Sequence, residues 1–369
     1  MTLARRLVAG LLIVAPGVLA GQAATTFART GVVFESYSFG PGLAFNRITE
    51  LTIPVGVSQR VGGRLVIDLS TAFASASVSD ARGGTITHSG LVDTDLRATF
   101  NVVPGKLVFN VVGTIPTGAT AVPDATIPLF GATATDLLGF TTPGFGSGGG
   151  VSTGFASAFR MGQNWAVGTG ASYRYAASYV PVQDGTEMMP GGEIRGRLGI
   201  EGPFGGGKYF RGAFVYTTSG ANDLGAGEQS AIGDRFLVYG SVSMPMGNSH
   251  LTLYGWDMRR GRARDSADTL TISVPRGNVL AVGGRLDRPM SPKTILSPIL
   301  EFRHELTGPG QTMELLGYLL RAGSDLRYRL TDRATAVLQA QVAFGTLHDG
   351  GTTASIFGPR VSALIEWAR

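Results

Sequence analysis

From residue 29 to the C-terminus the chain falls into segments of about ten residues in which apolar and polar positions alternate. Sixteen such segments can be marked, near 29–39, 46–58, 64–78, 86–101, 106–116, 150–160, 164–177, 192–201, 208–218, 233–244, 249–260, 277–287, 293–306, 314–330, 333–345 and 355–368. A period of two places successive side chains on opposite faces, so each segment predicts a β-strand with one apolar and one polar face. In 86–101, Val92, Leu96, Ala98 and Phe100 oppose Asp93, Asp95, Arg97 and Thr99. In 314–330, Leu316, Tyr318, Leu320, Leu326 and Tyr328 oppose Arg321, Asp325, Arg327 and Arg329, and in the last segment Val361, Ala363, Ile365 and Trp367 oppose Arg360, Ser362 and Glu366.

The connections add a second regularity. From the second strand onward short turns (60–63, 103–105, 161–163, 202–207, 245–248, 288–292 and 331–332) alternate with mostly longer stretches (79–85, 117–149, 178–191, 219–232, 261–276, 307–313 and 346–354). Short turns on one rim and long loops on the other are what a transmembrane β-barrel of the outer membrane requires, with the short turns periplasmic. Phe100, Phe159, Trp165, Phe210, Tyr328 and Trp367 sit at strand ends beside the short turns, as an interfacial aromatic girdle would. A soluble β-sandwich shares the alternation. Long strands, a polar face carrying both charge signs and the girdle favour the membrane. The predicted fold is therefore all-β: a single antiparallel transmembrane barrel over 24–369 with about 16 strands. Fourteen is the alternative, because the first two segments are the least regular.

Composition narrows the classes further. The 369 residues include 55 glycines, no cysteine and only 15% charged residues, and after residue 24 no run of 18 apolar residues occurs, so a membrane could be crossed only by a closed barrel. Residues 1–23 read as a secretory signal peptide. Arg5 and Arg6 precede the apolar stretch 7–20, which Pro16 interrupts, and small residues follow at two candidate cleavage positions. Cleavage would lower the net charge from +5 to 5 − 2 = +3, and no basic helix or aromatic–basic cluster supports nucleic acid as a partner. The expected location is the cell outer membrane. The expected partners are outer-membrane lipid, lipopolysaccharide, the barrel-assembly machinery and a small-molecule substrate; the 261–268 loop, with Arg259 and Arg260 just before it, is a candidate for lipopolysaccharide phosphates, the alternative being a solvated loop.

If lipid touches the apolar face, the other face lines the lumen. An arginine or carboxylate on the lipid side would cost on the order of 2–4 kcal/mol at mid-bilayer. The lumen wall and substrate path then include Asp93, Asp95, Arg97, Arg195, Arg197, Asp257, Arg259, Arg285, Asp287, Glu301, Arg303, Arg321, Asp325 and Arg327. Four successive strands carry Asp257/Arg259, Arg285/Asp287, Glu301/Arg303/Glu305 and Arg321/Asp325/Arg327. Neighbouring strands lie about 4.8 Å apart, so these predict a ladder of arginine–carboxylate pairs, either bracing the wall or shaping a polar path. Both signs are present, so strong ion selectivity is not expected. Pro54, Pro298 and Pro359 fall inside strand patterns, where each deletes a ladder donor and suggests a bulge or kink.

The longest loop, 117–149, is apolar and carries only Asp124 and Asp136. Such a loop can fold inward as a plug, capture a greasy ligand, or pack on the rim. Its candidate ligand residues are Ile127, Leu129, Phe130, Leu137, Leu138 and Phe140. Motifs for chemistry fail. Gly202 to Lys208 has the glycines of a phosphate loop, but Tyr209 replaces the required hydroxyl residue and a strand follows in place of a helix. His88, His250, His304 and His348 are scattered, and His88 and Ser89 point to opposite faces. No catalytic residue, metal or cofactor is expected.

Residues 90–118, the glycine-rich stretch 144–150 and the strand pair 151–177 resemble the outer-membrane family associated with meta-pathway phenol degradation, akin to the FadL/TodX transporters. The shared features are a Gly90-Leu91-x-Asp93 strand, a tight turn, an apolar strand ending in Pro116-Thr117-Gly118, and a second glycine-rich strand pair, over about a quarter of the chain. The resemblance implies passive passage of small, hydrophobic or aromatic molecules. The mature N-terminus is too short for the plug of the fatty-acid transporters. The alternatives are a general porin for polar solutes and a structural or adhesive barrel.

Overall fold

The computed structural model describes residues 25–225, 229–231, 233–261, 264–265, 276–308, 313–349 and 351–369. The segment read as a signal peptide and most of 261–268 lie outside them. The strands are β1 (Thr26–Phe39), β2 (Phe45–Val61), β3 (Leu65–Asp80), β4 in two pieces, β4a (Thr85–Leu91) and β4b (Thr94–Val103), β5 (Leu107–Ile115), β6 (Gly150–Met161), β7 (Trp165–Ala176) and β8 (Glu193–Pro203). They continue with β9 (Tyr209–Ser219), β10 (Arg235–Met246), β11 (Ser249–Arg260), β12 (Arg276–Ser291), β13 (Thr294–Gly308), β14 (Glu314–Arg329), β15 (Ala334–Asp349) and β16 (Thr352–Ala368). Each pairs antiparallel with the next, and both pieces of β4 pair with β3. β16 returns to β1 over Phe27↔Ala368 to Phe39↔Ile356, so a 16-stranded barrel closes with no free edge. Short pairings of Asn222–Asp223, Gln229–Ala231 and Arg264–Asp265 join two of the long connections.

The outer face is apolar at alternate positions: Phe34, Leu96, Phe155, Leu198, Phe214, Leu253, Leu300, Phe344 and Ile365 are exposed. Exposed leucine and phenylalanine over a closed surface need hydrocarbon around them, which places the chain in the outer membrane. Phe100, Phe159 and Tyr328 are exposed on this face at the short-turn rim. Trp165 lies beside Phe210, with ring centroids 6.3 Å apart. The short turns are tight. In the 104–106 turn Gly105 has φ +71°, which an L side chain adopts only at a cost.

The wall is uneven in height. Strands β12–β16 and β1–β3 run 14–17 residues, whereas β5–β11 run 9–12. At about 3.4 Å per residue the first group is roughly 15 Å longer along the strand. Two of the connections expected to be longer, 79–85 and 346–354, are shortened by it. Residues 346–354 are mostly strand, with β15 and β16 joined across 350–351, and β3 and β4a are joined across only 81–84. The chain extends the ladder there because the inner side of the tall wall has a partner to bury, described below.

The three prolines change the ladder less than a bulge would. Pairing lapses for two positions opposite each: Gly31/Val32 against Pro54, Leu286/Asp287 against Pro298, and Ser36/Tyr37 against Pro359. The register on either side of each lapse is the same, so the missing N–H opens a gap without inserting a residue.

Candidate functional site

The connection from β5 to β6 enters the barrel. After a single helical turn at Asp124–Thr126 and the short helix α1 (Ile127–Thr133), residues 134–147 run along the inner side of the tall wall. Leu129, Phe130, Leu137, Leu138, Phe140 and Phe145 join one buried cluster with Tyr37, Phe39, Ile48, Ala74, Ala76, Val78, Leu319, Ala343, Leu347 and Ile356 of the wall. Tyr37 meets Phe140 edge to face at 5.2 Å, and Phe145 meets His88 at 4.6 Å and Phe130 at 5.6 Å. These apolar contacts give the inserted loop a core of its own, built on apolar inward positions toward the long-loop ends of β1–β3 and β14–β16.

Four wall carboxylates hold the loop backbone. Asp93, at the break between β4a and β4b, accepts from Gly118 N at 3.2 Å, Ser147 N at 2.8 Å and Ser147 Oγ at 3.0 Å, clamping both ends of the loop. Glu35 accepts from Thr141 N at 2.8 Å and Thr141 Oγ1 at 2.6 Å, and Glu50 accepts from Thr142 N at 2.7 Å. Glu305 accepts from Leu137 N at 2.8 Å. Glu35 and Glu50 face each other across β1 and β2, and Arg360 stands 3.1 Å from Glu35. On the carbonyl side, Arg321 and Tyr37 donate to Leu138 O at 2.9 and 3.1 Å, and Arg303 donates to Asp136 O at 3.3 Å. Gly139 has φ +62°, and a β-carbon there would lie 2.2 Å from the Arg303 guanidinium, so only glycine lets that arginine approach.

The charged positions anticipated on the lumen wall divide into three groups. Asp93, Arg303 and Arg321 bind the loop. Arg285 bridges Asp287 at 2.6 Å and Asp325 at 2.9 Å below it, with Gln339 donating to Asp325 at 2.8 Å. Glu301 lies 2.8 Å from Arg303 and 3.7 Å from Arg321, Arg259 3.1 Å from Asp257, and Arg327 2.6 Å from Glu366. These rungs run across β11–β14 and on to β16. Their partly exposed pairs are each worth about 0–1 kcal/mol, so they brace by number rather than individually. The third group, Arg97, Arg195 and Arg197, stands on the short wall with Arg174, which the loop does not cover. Asp95 accepts from Thr114 Oγ1 at 2.7 Å.

Of the six loop residues expected to meet a ligand, Leu129, Leu137, Leu138 and Phe140 are spent on the internal cluster. Ile127 and Phe130 also line a cavity of about 250 Å³ at the long-loop rim, completed by Val122, Phe145, Tyr179 and Val182. Face alternation did not single out Glu35, because Val32, Val33 and Phe34 make both faces of β1 apolar. Tyr179 and Phe145 lie in irregular loops, where no periodicity points to them.

No protein-family model matches the chain, and no curated protein matches it by sequence. Solved structures do match. OprB of Pseudomonas putida aligns over 92% of this chain and 94% of its own at TM-score 0.52 and 10% identity. A bacterial polysaccharide outer membrane secretin aligns over 95% and 100% at TM-score 0.49 and 10% identity, and OmpT of Vibrio cholerae over 96% and 100% at TM-score 0.42 and 12% identity. The likeness to OprB is one of fold: the chain is an outer-membrane β-barrel with a loop packed inside its lumen.

Proposed function

We propose that this barrel passes small, largely hydrophobic or aromatic molecules across the outer membrane by passive diffusion, without covalent chemistry. The observation that carries the reading is the apolar cavity at the outer rim, walled by Ile127, Phe130, Phe145, Tyr179 and Val182. An apolar cavity of 150 Å³ is large enough for a benzene ring, so about 250 Å³ accommodates a substituted ring. The inserted loop shapes the cavity and narrows the lumen, and the short wall supplies the way past it. The resemblance over 90–118 and 144–177 supports the same substrate class, since those residues build β4b–β7 and both ends of the loop.

A general porin for polar solutes is the second reading, favoured by the inward-facing and exposed Arg97 and Arg197. Liposomes separate the two. Protein lacking 117–149 should lose uptake of a radiolabelled aromatic and show unchanged or faster swelling in sugars. Aromatic uptake unaffected by the deletion would refute the role given to the loop.

A further inference from the structure

On the short wall the register aligns Arg97, Val112, Ser152, Arg174 and Glu193 as one row of directly paired residues across β4b to β8. The next inward row carries Asn110, Gly154, Ser172 and Arg195. The middle of this surface is floored by small residues, so arginines at its edges lean over a recess. Arg97, Arg174, Arg195 and Arg197 all line one cavity of about 120 Å³, floored in part by Asn110 and Ser152.

The charge in this recess is not balanced as it is across the lumen. Of the residues lining the cavity, Glu193 is the one carboxylate, and it is already engaged by Arg195 at 2.7 Å and Arg235 at 2.7 Å. Among the described residues neither Arg97 nor Arg197 has a carboxylate within 4.0 Å, although both face inward. The cross-strand neighbours of Arg197 are Gly170 and Val215, which carry no charge. The Nε of Arg195 is buried with no hydrogen-bond partner. Arginines that merely brace a wall end on carboxylates, as Arg285, Arg303 and Arg327 do. Asp68 is the cross-strand neighbour of Arg97 but forms no ion pair with it, and forked guanidiniums that end on no carboxylate match a planar oxyanion.

We propose that this recess is a binding site for the carboxylate group of a small organic acid whose apolar body enters through the cavity at the rim. The proposal rests in part on the channel reading above. It narrows the substrate class to acids with an apolar or aromatic body, and it predicts an anion preference where the mixed charge of the lumen alone predicts none. Tyr179 of the rim cavity follows three residues after the end of β7, so both surfaces share one sector of the barrel.

Equilibrium dialysis of radiolabelled benzoate against the full barrel in detergent tests the site, with neutral benzamide as the comparison. The protein should bind benzoate saturably and benzamide at least tenfold more weakly. Arg97→Gln with Arg197→Gln should weaken benzoate at least tenfold. Arg82→Gln with Lys106→Gln removes the same net charge elsewhere and should not. Arg97→Lys with Arg197→Lys, which keeps charge but loses the fork, should weaken benzoate severalfold. Heat-modifiable gel mobility reports that each variant is folded. In planar bilayers at about 0.1 M salt, where screening extends about 10 Å, the reversal potential should favour chloride, and the Gln pair should abolish the preference. Absence of saturable benzoate binding, or equal weakening by the Arg82/Lys106 pair, would overturn the site. Silent bilayers with benzoate binding intact would overturn the channel reading and support the site.

Discussion

Replacing Asp93 by alanine should free the inserted loop while leaving the barrel closed. Asp93 is 4% exposed and accepts three hydrogen bonds that tie Gly118 and Ser147, near the two ends of the loop, to one point on the wall. A hydrogen bond to a charged group contributes about 1.5–3 kcal/mol net. Three would nominally sum to roughly 4–9 kcal/mol, but lumen water can replace part of them once the loop lifts. Because of that replacement the free energy of local opening should fall by less than this sum, about 3 kcal/mol. At 1.4 kcal/mol per factor of ten, the open fraction rises about a hundredfold. Hydrogen–deuterium exchange read by mass spectrometry on peptides from 117–149 measures this directly, because opening before exchange reports the local equilibrium. Exchange in the loop should accelerate about a hundredfold in Asp93→Ala and about tenfold in Asp93→Asn, which keeps one acceptor oxygen. Peptides from β13 to β16 should be unchanged. Loop exchange at the wild-type rate in a folded Asp93→Ala barrel would refute the clamp, and equal acceleration in the strands would show global weakening instead.

Three further perturbations probe other parts of the structure. Thr52 Oγ1 and Thr142 Oγ1 lie 3.1 Å apart and the chain has no cysteine, so Thr52→Cys with Thr142→Cys should form a disulfide on export. A thiol count of two in the folded, oxidised protein would contradict the docked loop. Leu198→Arg puts a charge on the lipid face of β8 and should cost about 2–4 kcal/mol in a urea titration of folding into vesicles. An unchanged midpoint would contradict the orientation of that strand. Gly202 supports the ring of Trp165, and a β-carbon there would lie 2.5 Å from it. Gly202→Val should therefore destabilise by about 1–3 kcal/mol through overpacking, measured in the same titration, while Trp165→Ala should relieve most of that loss in the double variant.

The sequence by itself determined the barrel. Antiparallel order and which face meets lipid follow from alternation, because a one-residue error in register would turn Arg321, Asp325 and Arg327 toward hydrocarbon, whereas the choice of sixteen strands over fourteen came from the pairing of β1 with β2 and β16. It also placed the rungs on β11–β14, since residues two apart on one strand necessarily share a face. The loop 117–149 was recognisable as long and apolar, but its course was not. What fixes it are backbone N–H groups of Leu137, Thr141, Thr142 and Ser147 seeking carboxylates on β13, β1, β2 and β4, contacts 54 to 168 residues away in the chain. Backbone donors leave no mark on side-chain pattern. The same holds for the height of the wall. Residues 346–354 carry no surplus of strand signal, and they pair because the loop gives the inner side of β15 and β16 something apolar to bury. Only the tertiary structure decided which lumen charges are spent on the loop, which neutralise one another, and which, like Arg97 and Arg197, are left facing water. Charge balance is a property of neighbours across strands, and neighbours across strands exist only once the barrel has closed.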